Sequence, residues 1–322
     1  MASTSLVMRS THCLFFLLLL LSSTITATPL QNSNQFTNGY HQQQAERNDE
    51  PTQLFRDGQE GDVYKPNLRL VNHAQIKPGQ IPHSVIRIRT CFQTGSNFCK
   101  RASGFVLSTP TTMNSNHQIV VTAGHVVTHS NETNPNSKTN MWASRIEAIS
   151  GTGKNTQTVQ GSYALVTKSY FSRQYRVNDV ALVVLEAPLV GVKGLEYKQT
   201  PWVKMQNNNV TVYGFPGQTV EEKRRGKLCV SRGRMRFSVG DGLLRHDADA
   251  VKGISGGPIV GADGKVVGVH ISGSPTSYTG APVNREGNDF DEFVEVLEAF
   301  QRGLVRDDYM HDDGGPVVWK LS

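Results

Sequence analysis

Gly253-Ile254-Ser255-Gly256-Gly257-Pro258 is the most informative stretch of this 322-residue chain. Glycines on both sides of a serine let the backbone turn sharply and bring a substrate close. The N–H groups of Gly253 and Ser255 can then point at one place and hold the oxyanion of a tetrahedral intermediate. A Gly-rich turn is weak evidence alone. Two upstream stretches add to it: Val121-Thr122-Ala123-Gly124-His125 and Asn178-Asp179-Val180-Ala181-Leu182. A serine hydroxyl is a poor nucleophile until a base removes its proton. Imidazole does this near neutral pH, and a buried carboxylate fixes its tautomer. His125 follows the apolar run 119–121, so it stands at a strand end. Asp179 opens the apolar run 180–185. An acid there is expected to be buried and to need a partner, and the imidazole N–H of His125 is one.

These segments, TAGH, NDVAL and GISGGP, resemble the signatures of the chymotrypsin-like serine proteases. The order His, Asp, Ser is also theirs; subtilisins and α/β-hydrolases use other orders. The resemblance covers roughly residues 80–302. It implies an all-β fold of two antiparallel six-stranded β-barrels, with the active site in the cleft between them and a C-terminal helix. His125 and Asp179 would belong to the first barrel and Ser255 to the second. The implied roles are nucleophile for Ser255, general base for His125, orienting carboxylate for Asp179, and oxyanion hole for the Gly253 and Ser255 amides. Protein or peptide substrates and no cofactor follow from the same resemblance.

Within that group the chain looks more like the bacterial-type glutamyl endopeptidases than like digestive trypsins. The residue before the nucleophile is Ile254, where trypsin-like zymogens hold the aspartate that captures a new N-terminus. Ile254 cannot form that ion pair, so activation must differ. Gly268-Val269-His270-Ile271-Ser272-Gly273 follows Ser255 after a short hairpin, and the glutamyl enzymes carry a histidine at the place of His270. The resemblance makes His270 and Gly273 substrate-binding and favours cleavage after Glu or Asp. Two residues disagree. The glutamyl enzymes use a hydroxyl residue where Ala250 stands. Asp249 falls where trypsins hold the acid that binds Lys or Arg. An Asp249 pointing into the pocket would repel acidic substrates or pair with His270. Trypsin-like specificity through Asp249 therefore stays open, as does a non-catalytic secreted binding protein on the same fold.

Composition fits an ordinary globular protein, with 37% apolar and 19% charged residues. Thirty glycines and 14 prolines suit many short strands. Arg9 and His12 precede an apolar run, 14–21, that is too short to span a bilayer. Residues 1–27 are therefore expected to be a secretory signal, giving a secreted, extracellular protein with no membrane contact after its removal. Residues 28–68 read as a pro-segment or disordered leader, poor in aliphatics and unable to fold alone. Within it, residues 28–60 hold five acids and two bases, against +6 for the whole chain. Arg56, Lys65 and Arg69 are candidate cleavage points for a trypsin-like activator. Residues 69–190 are assigned to the first barrel and 191–287 to the second. Strands are expected over 86–89, 104–108, 118–127, 163–167 and 180–185, then 210–213, 227–237, 243–245 and 259–269. Asp263-Gly264 marks a hairpin turn in the last of these. Residues 288–322 read as a C-terminal helix and tail. Asn288 is the expected cap, and Phe290, Phe293, Val294, Leu297 and Phe300 form a stripe that would pack on the second barrel.

Cys13 leaves with the signal, and Cys91, Cys99 and Cys229 remain. Cys91 and Cys99 flank a turn-rich loop, so a disulfide there would close a hairpin and add about 2.5 kcal/mol, with Cys229 a free thiol. Asn131-Glu132-Thr133 and Asn209-Val210-Thr211 are glycosylation sequons. Lys223, Arg224, Arg225, Lys227, Arg232, Arg234 and Arg236 form a basic cluster without interleaved aromatics in its first part. That reads as a solvated hairpin rather than a nucleic-acid surface. The ten histidines show no metal-ligand spacing. A monomer acting on peptides is the expected form.

Overall fold

A computed structural model of the chain describes residues 67–321, apart from 73–74, 78, 94–97, 110–116, 131–139, 152–154, 202–207, 218–223, 275–276 and 304–314. The signal segment, the leader before residue 67, Arg56, Lys65 and the sequon at Asn131 lie outside the described residues. The first strand, β1, is the pair Arg69–Leu70. Period-two alternation then builds β2 (Val85–Phe92), which buries Ile86, Ile88, Thr90 and Phe92 while Arg89 faces water. Next come β3 (Phe98–Val106), β4 (Ile119–Thr122), a small hairpin of β5 (Thr128–Ser130) and β6 (Asn140–Trp142), then β7 (Arg145–Ser150), β8 (Gln157–Thr167) and β9 (Ala181–Leu185).

Six of these strands pair in the order β8-β7-β2-β3-β4-β9, and β9 pairs back on β8. Closure leaves no free edge inside the barrel. Ile86, Ile88, Phe105, Val121, Leu165 and Leu182 are fully buried, each worth about 1.5–3 kcal/mol of apolar transfer. The second barrel repeats the plan with β10 (Asn208–Gly214), β11 (Cys229–Phe237), β12 (Leu244–His246), β13 (Pro258–Gly261), β14 (Val266–Ser274) and β15 (Ser277–Pro282). Its order is β11-β10-β13-β14-β15-β12, closed by β11 on β12. The fold is thus two closed six-stranded antiparallel barrels. Cys91 and Cys99 face each other across β2 and β3 and are joined by a disulfide. Cys229 is a buried free thiol, and burial pushes its pKa up to about 11.

Several boundaries differ from the sequence reading. Leu68, assigned to the leader, is buried in the second barrel. Arg69–Leu70, assigned to the first barrel, pairs with β11 of the second. A two-residue strand carries no period for a pattern to reveal. Residues 124–127 form a helical turn instead of continuing a strand. The tail contains a sixteenth strand, β16 (Pro316–Lys320), which pairs along β8 of the first barrel. Its Trp319 stacks on Trp142, ring centroids 6.0 Å apart.

The C-terminal helix, Phe290–Gln301, buries the expected stripe, but Asp289 is its cap. The Asp289 carboxylate accepts from the Asp291 and Glu292 N–H groups at 3.0 and 3.1 Å. Asn288 is instead fully buried, donating to the Val177 and Pro282 carbonyls at 2.7 and 2.9 Å. The helix is not confined to the second barrel. Phe300 lies 6.4 Å from Tyr163 of β8, and Phe290 lies 5.5 Å from Tyr197 between the barrels.

Candidate active site

His125 stands on the helical turn that follows β4, and Asp179 on the segment that leads into β9. Strands β4 and β9 are neighbours, with Thr122 opposite Ala181, so the two residues leave the sheet side by side. The Asp179 carboxylate makes two bonds to His125. One oxygen accepts from the His125 main-chain N–H at 2.8 Å, and the other lies 2.8 Å from the imidazole Nδ1. The Asp179 side chain is only 10% exposed, whereas that of His125 is 38% exposed. The carboxylate thus sits in the wall and the imidazole in the cleft. A donor bond at Nδ1 leaves Nε2 as the acceptor nitrogen.

Ser255 lies in the loop between β12 and β13. First-barrel groups hold this loop from below. The Ser103 N–H donates to the Ser255 carbonyl at 2.9 Å. The Ser103 hydroxyl donates to the Gly253 carbonyl and accepts from the Phe215 N–H, both at 2.8 Å. Gly256 has φ +84, and a Cβ there would lie 2.1 Å from Thr122 Oγ1 and 2.2 Å from the Ser103 carbonyl. Only glycine fits so close to the opposite barrel. Gly253 has φ +100. Among the described residues the N–H groups of Gly253 and Ser255 donate to no protein acceptor. The Ser255 hydroxyl is turned toward the Ile271 carbonyl at 3.4 Å, not to the imidazole.

His270 lies on β14 and is 3% exposed. Its Nδ1 is 3.1 Å from Nε2 of His246, which in turn stacks on Tyr278. Burial first, then the neighbouring imidazoles of His246 and His125, hold His270 well below its ordinary pKa. Burial lowers His246 to about 4. Gly273 lies opposite Tyr278, and a Cβ there would be 2.1 Å from the tyrosine ring.

The sequence left Asp249 open between a pocket acid and a partner of His270. Its carboxylate accepts from the Asn67 main-chain N–H at 3.0 Å and does not pair with His270, whose partner is His246. The acid is committed to the incoming chain at residue 67. Asn209 is exposed on β10.

Four further residues shape the site and escaped the sequence. Ser103 lies in an ordinary strand. His246 sits in a three-residue strand. Tyr170 lies against Gly124, whose Cβ would meet its ring at 2.6 Å and Asp179 Oδ1 at 3.1 Å. Burial, then the Asp179 charge, hold the Tyr170 phenol well above its ordinary pKa, so it stays a donor. Arg176 reaches the second barrel at Ser272 and Thr279. Each is meaningful only through a partner that is distant in sequence.

The buried imidazole pair carries a pH signature. Both pKa values are depressed in the folded state, so the unfolded chain binds more protons as pH falls below about 6.5. Stability therefore rises with pH across this window. Denaturant unfolding is expected to lose on the order of 3 kcal/mol between pH 6.5 and pH 4 through His246 alone. His246→Phe should flatten that slope, and an unchanged slope would count against the burial of the pair.

Two closed barrels, with His125 and Asp179 on one and Ser255 on the other, are the architecture of the chymotrypsin-like serine proteases. Residues 102–269, more than half of the chain, match the trypsin-like peptidase domain family, and the chain belongs to it. Glutamyl endopeptidases of Staphylococcus aureus strains MW2 and MSSA476 are each 31% identical over 75 residues. That match is 23% of this chain and 21% of theirs, so the chain aligns with about a fifth of these relatives' length. A solved Glu endopeptidase in complex with MPD superposes with a TM-score of 0.56 at 16% identity. It covers 74% of this chain and 99% of its own, and is similar in fold.

Proposed function

We propose that this protein is a secreted serine endopeptidase that cuts peptide bonds through an acyl-enzyme on Ser255. The observation that carries the reading is the doubly bonded Asp179–His125 pair, set beside a serine flanked by two unengaged main-chain N–H groups. Ser255 Oγ attacks the scissile carbonyl, and His125 Nε2 takes its proton. Asp179 fixes the tautomer and steadies the imidazolium. The Gly253 and Ser255 N–H groups receive the negative oxygen. His125 then protonates the leaving amine, and water releases the acyl group. No cofactor enters these steps. Labelling by a fluorophosphonate at Ser255, with peptide cleavage lost in parallel, tests the reading. A chain freed of its leader that neither labels nor cleaves would refute it.

The finer proposal is cleavage after Glu or Asp. With Asp249 bound to the Asn67 N–H, an acidic substrate would meet the His270–His246 pair rather than a bare carboxylate. A substrate carboxylate would raise the pKa of His270 and draw a proton onto the pair. Binding of acidic peptides should then weaken as pH rises, relative to matched amide peptides. His270→Leu is expected to cut the Glu-over-Gln preference before the cut bond by about 10–100-fold, because a buried polar contact is lost. The readout is kcat/KM on paired peptides. Cutting after Lys or Arg, insensitive to His270, would reverse the assignment and restore Asp249 as the selector. Glycans on Asn131 and Asn209, activation by leader removal and a monomeric state belong to the same proposal.

A further inference from the structure

Arg176 opens the one-turn helix Arg176–Asn178 that leads directly into Asp179. It belongs to the first barrel, yet its guanidinium crosses to the second. There it donates to the Ser272 hydroxyl and to Thr279 Oγ1, the latter at 3.0 Å. The two hydroxyls are 3.0 Å from each other, on opposed residues of β14 and β15. Hydroxyls orient a guanidinium without neutralising it. Among the described residues no carboxylate pairs with Arg176, and the side chain is exposed. An oriented, uncompensated cation therefore stands three residues from Asp179 and one residue from the strand position that Ser255 touches.

The strand supplies the register. β14 pairs with β13 as far as Val269, opposite Pro258, and with the serine loop through His270. Over residues 271–273 that edge carries no strand among the described residues, while on the other edge Ser272 and Gly273 stay paired to β15 after a bulge at Ile271. A strand edge without a neighbouring strand takes an extended peptide as an added antiparallel strand. Ser255 Oγ is 3.4 Å from the Ile271 carbonyl, so the residue whose carbonyl is attacked lies opposite Ile271. The next residue upstream then lies opposite Ser272. Directly opposed residues of an antiparallel pair put their side chains on the same face. The Ser272 side chain faces Arg176.

From this we propose that Arg176 is a specificity-determining residue that holds a Glu or Asp carboxylate at the second residue upstream of the cut bond. The proposal rests on the peptidase reading and adds a second acidic position to it. The fork of the guanidinium matches a carboxylate with two parallel N–H donors, a match that lysine lacks.

The test compares peptides that share the preferred residue before the cut bond and differ only one position upstream, with Glu, Gln or Lys there. Wild-type kcat/KM is expected to favour Glu over Gln by about tenfold at low salt, with the ratio shrinking as salt rises. Arg176→Gln should bring that ratio to about one, and Arg176→Lys should retain part of it. A wild-type enzyme with no preference for Glu over Gln at this position overturns the inference without any variant. So does Arg176→Gln that lowers both peptides by the same factor, which would make Arg176 a brace between the barrels. Failure of the wild-type chain, freed of its leader, to cut any of the peptides or to label at Ser255 overturns the peptidase reading and this inference with it.

Discussion

Replacing Ser255 with Ala is expected to lower kcat/KM for peptide cleavage by about 10⁴–10⁶-fold while leaving the fold intact. The substitution removes one oxygen, whose sole bond within the described residues is a long 3.4 Å contact to the Ile271 carbonyl. Nothing else in the loop depends on that atom. Its position is fixed by main-chain bonds: Ser103 to Ser255, Gly256 to His270 and Gly257 to Ile254. Thermal unfolding should therefore stay within a few degrees of the parent, and peptide affinity should survive. Titration of the variant with an uncleaved substrate checks the second point. Turnover near the parent level in Ser255→Ala would mean that another nucleophile does the work, and the assignment would fail.

Much of this was legible in the sequence because the chemistry needs local backbone. Gly253 and Gly256 adopt positive φ, and Gly256 has no room for a Cβ. Such demands leave glycine at fixed offsets from Ser255. The pairing of His125 with Asp179 was legible for another reason. Each residue lies beside an apolar strand, and those strands are direct neighbours in the barrel. The disulfide was legible because both cysteines flank one hairpin.

What stayed hidden depends on contacts across long separations. The role of Ser103 comes from a loop 150 residues away. His246 gains its meaning from His270, on a strand that β15 separates from its own. Asp249 stayed open in the sequence because its partner, the Asn67 N–H, is a main-chain group 182 residues upstream that leaves no mark in composition. The cap of the terminal helix slipped by one residue, from Asn288 to Asp289, since both side chains can cap. Burial decided it: Asn288 was drawn inward by the Val177 and Pro282 carbonyls.

Asp179→Asn is the second large effect, expected at about 10⁴-fold in kcat/KM with little loss of stability. The carboxylate now accepts twice from His125, through the main-chain N–H and Nδ1. An amide has one oxygen and one NH₂ group. If its oxygen keeps the main-chain bond, the NH₂ faces Nδ1 and can only donate. That forces the imidazole proton onto Nε2, where it blocks acceptance of the Ser255 proton. If the amide flips, its NH₂ opposes the His125 main-chain N–H, and two donors collide in the cleft wall. Tyr170 cannot restore the lost charge, because its phenol stays protonated. Both orientations also remove the charge that steadies the imidazolium. The checks are kcat/KM on the best peptide and the nitrogen chemical shifts of His125, which report the tautomer. Retention of activity within tenfold, with the proton still on Nδ1, would show that Asp179 only shapes the wall and that another group orients the base.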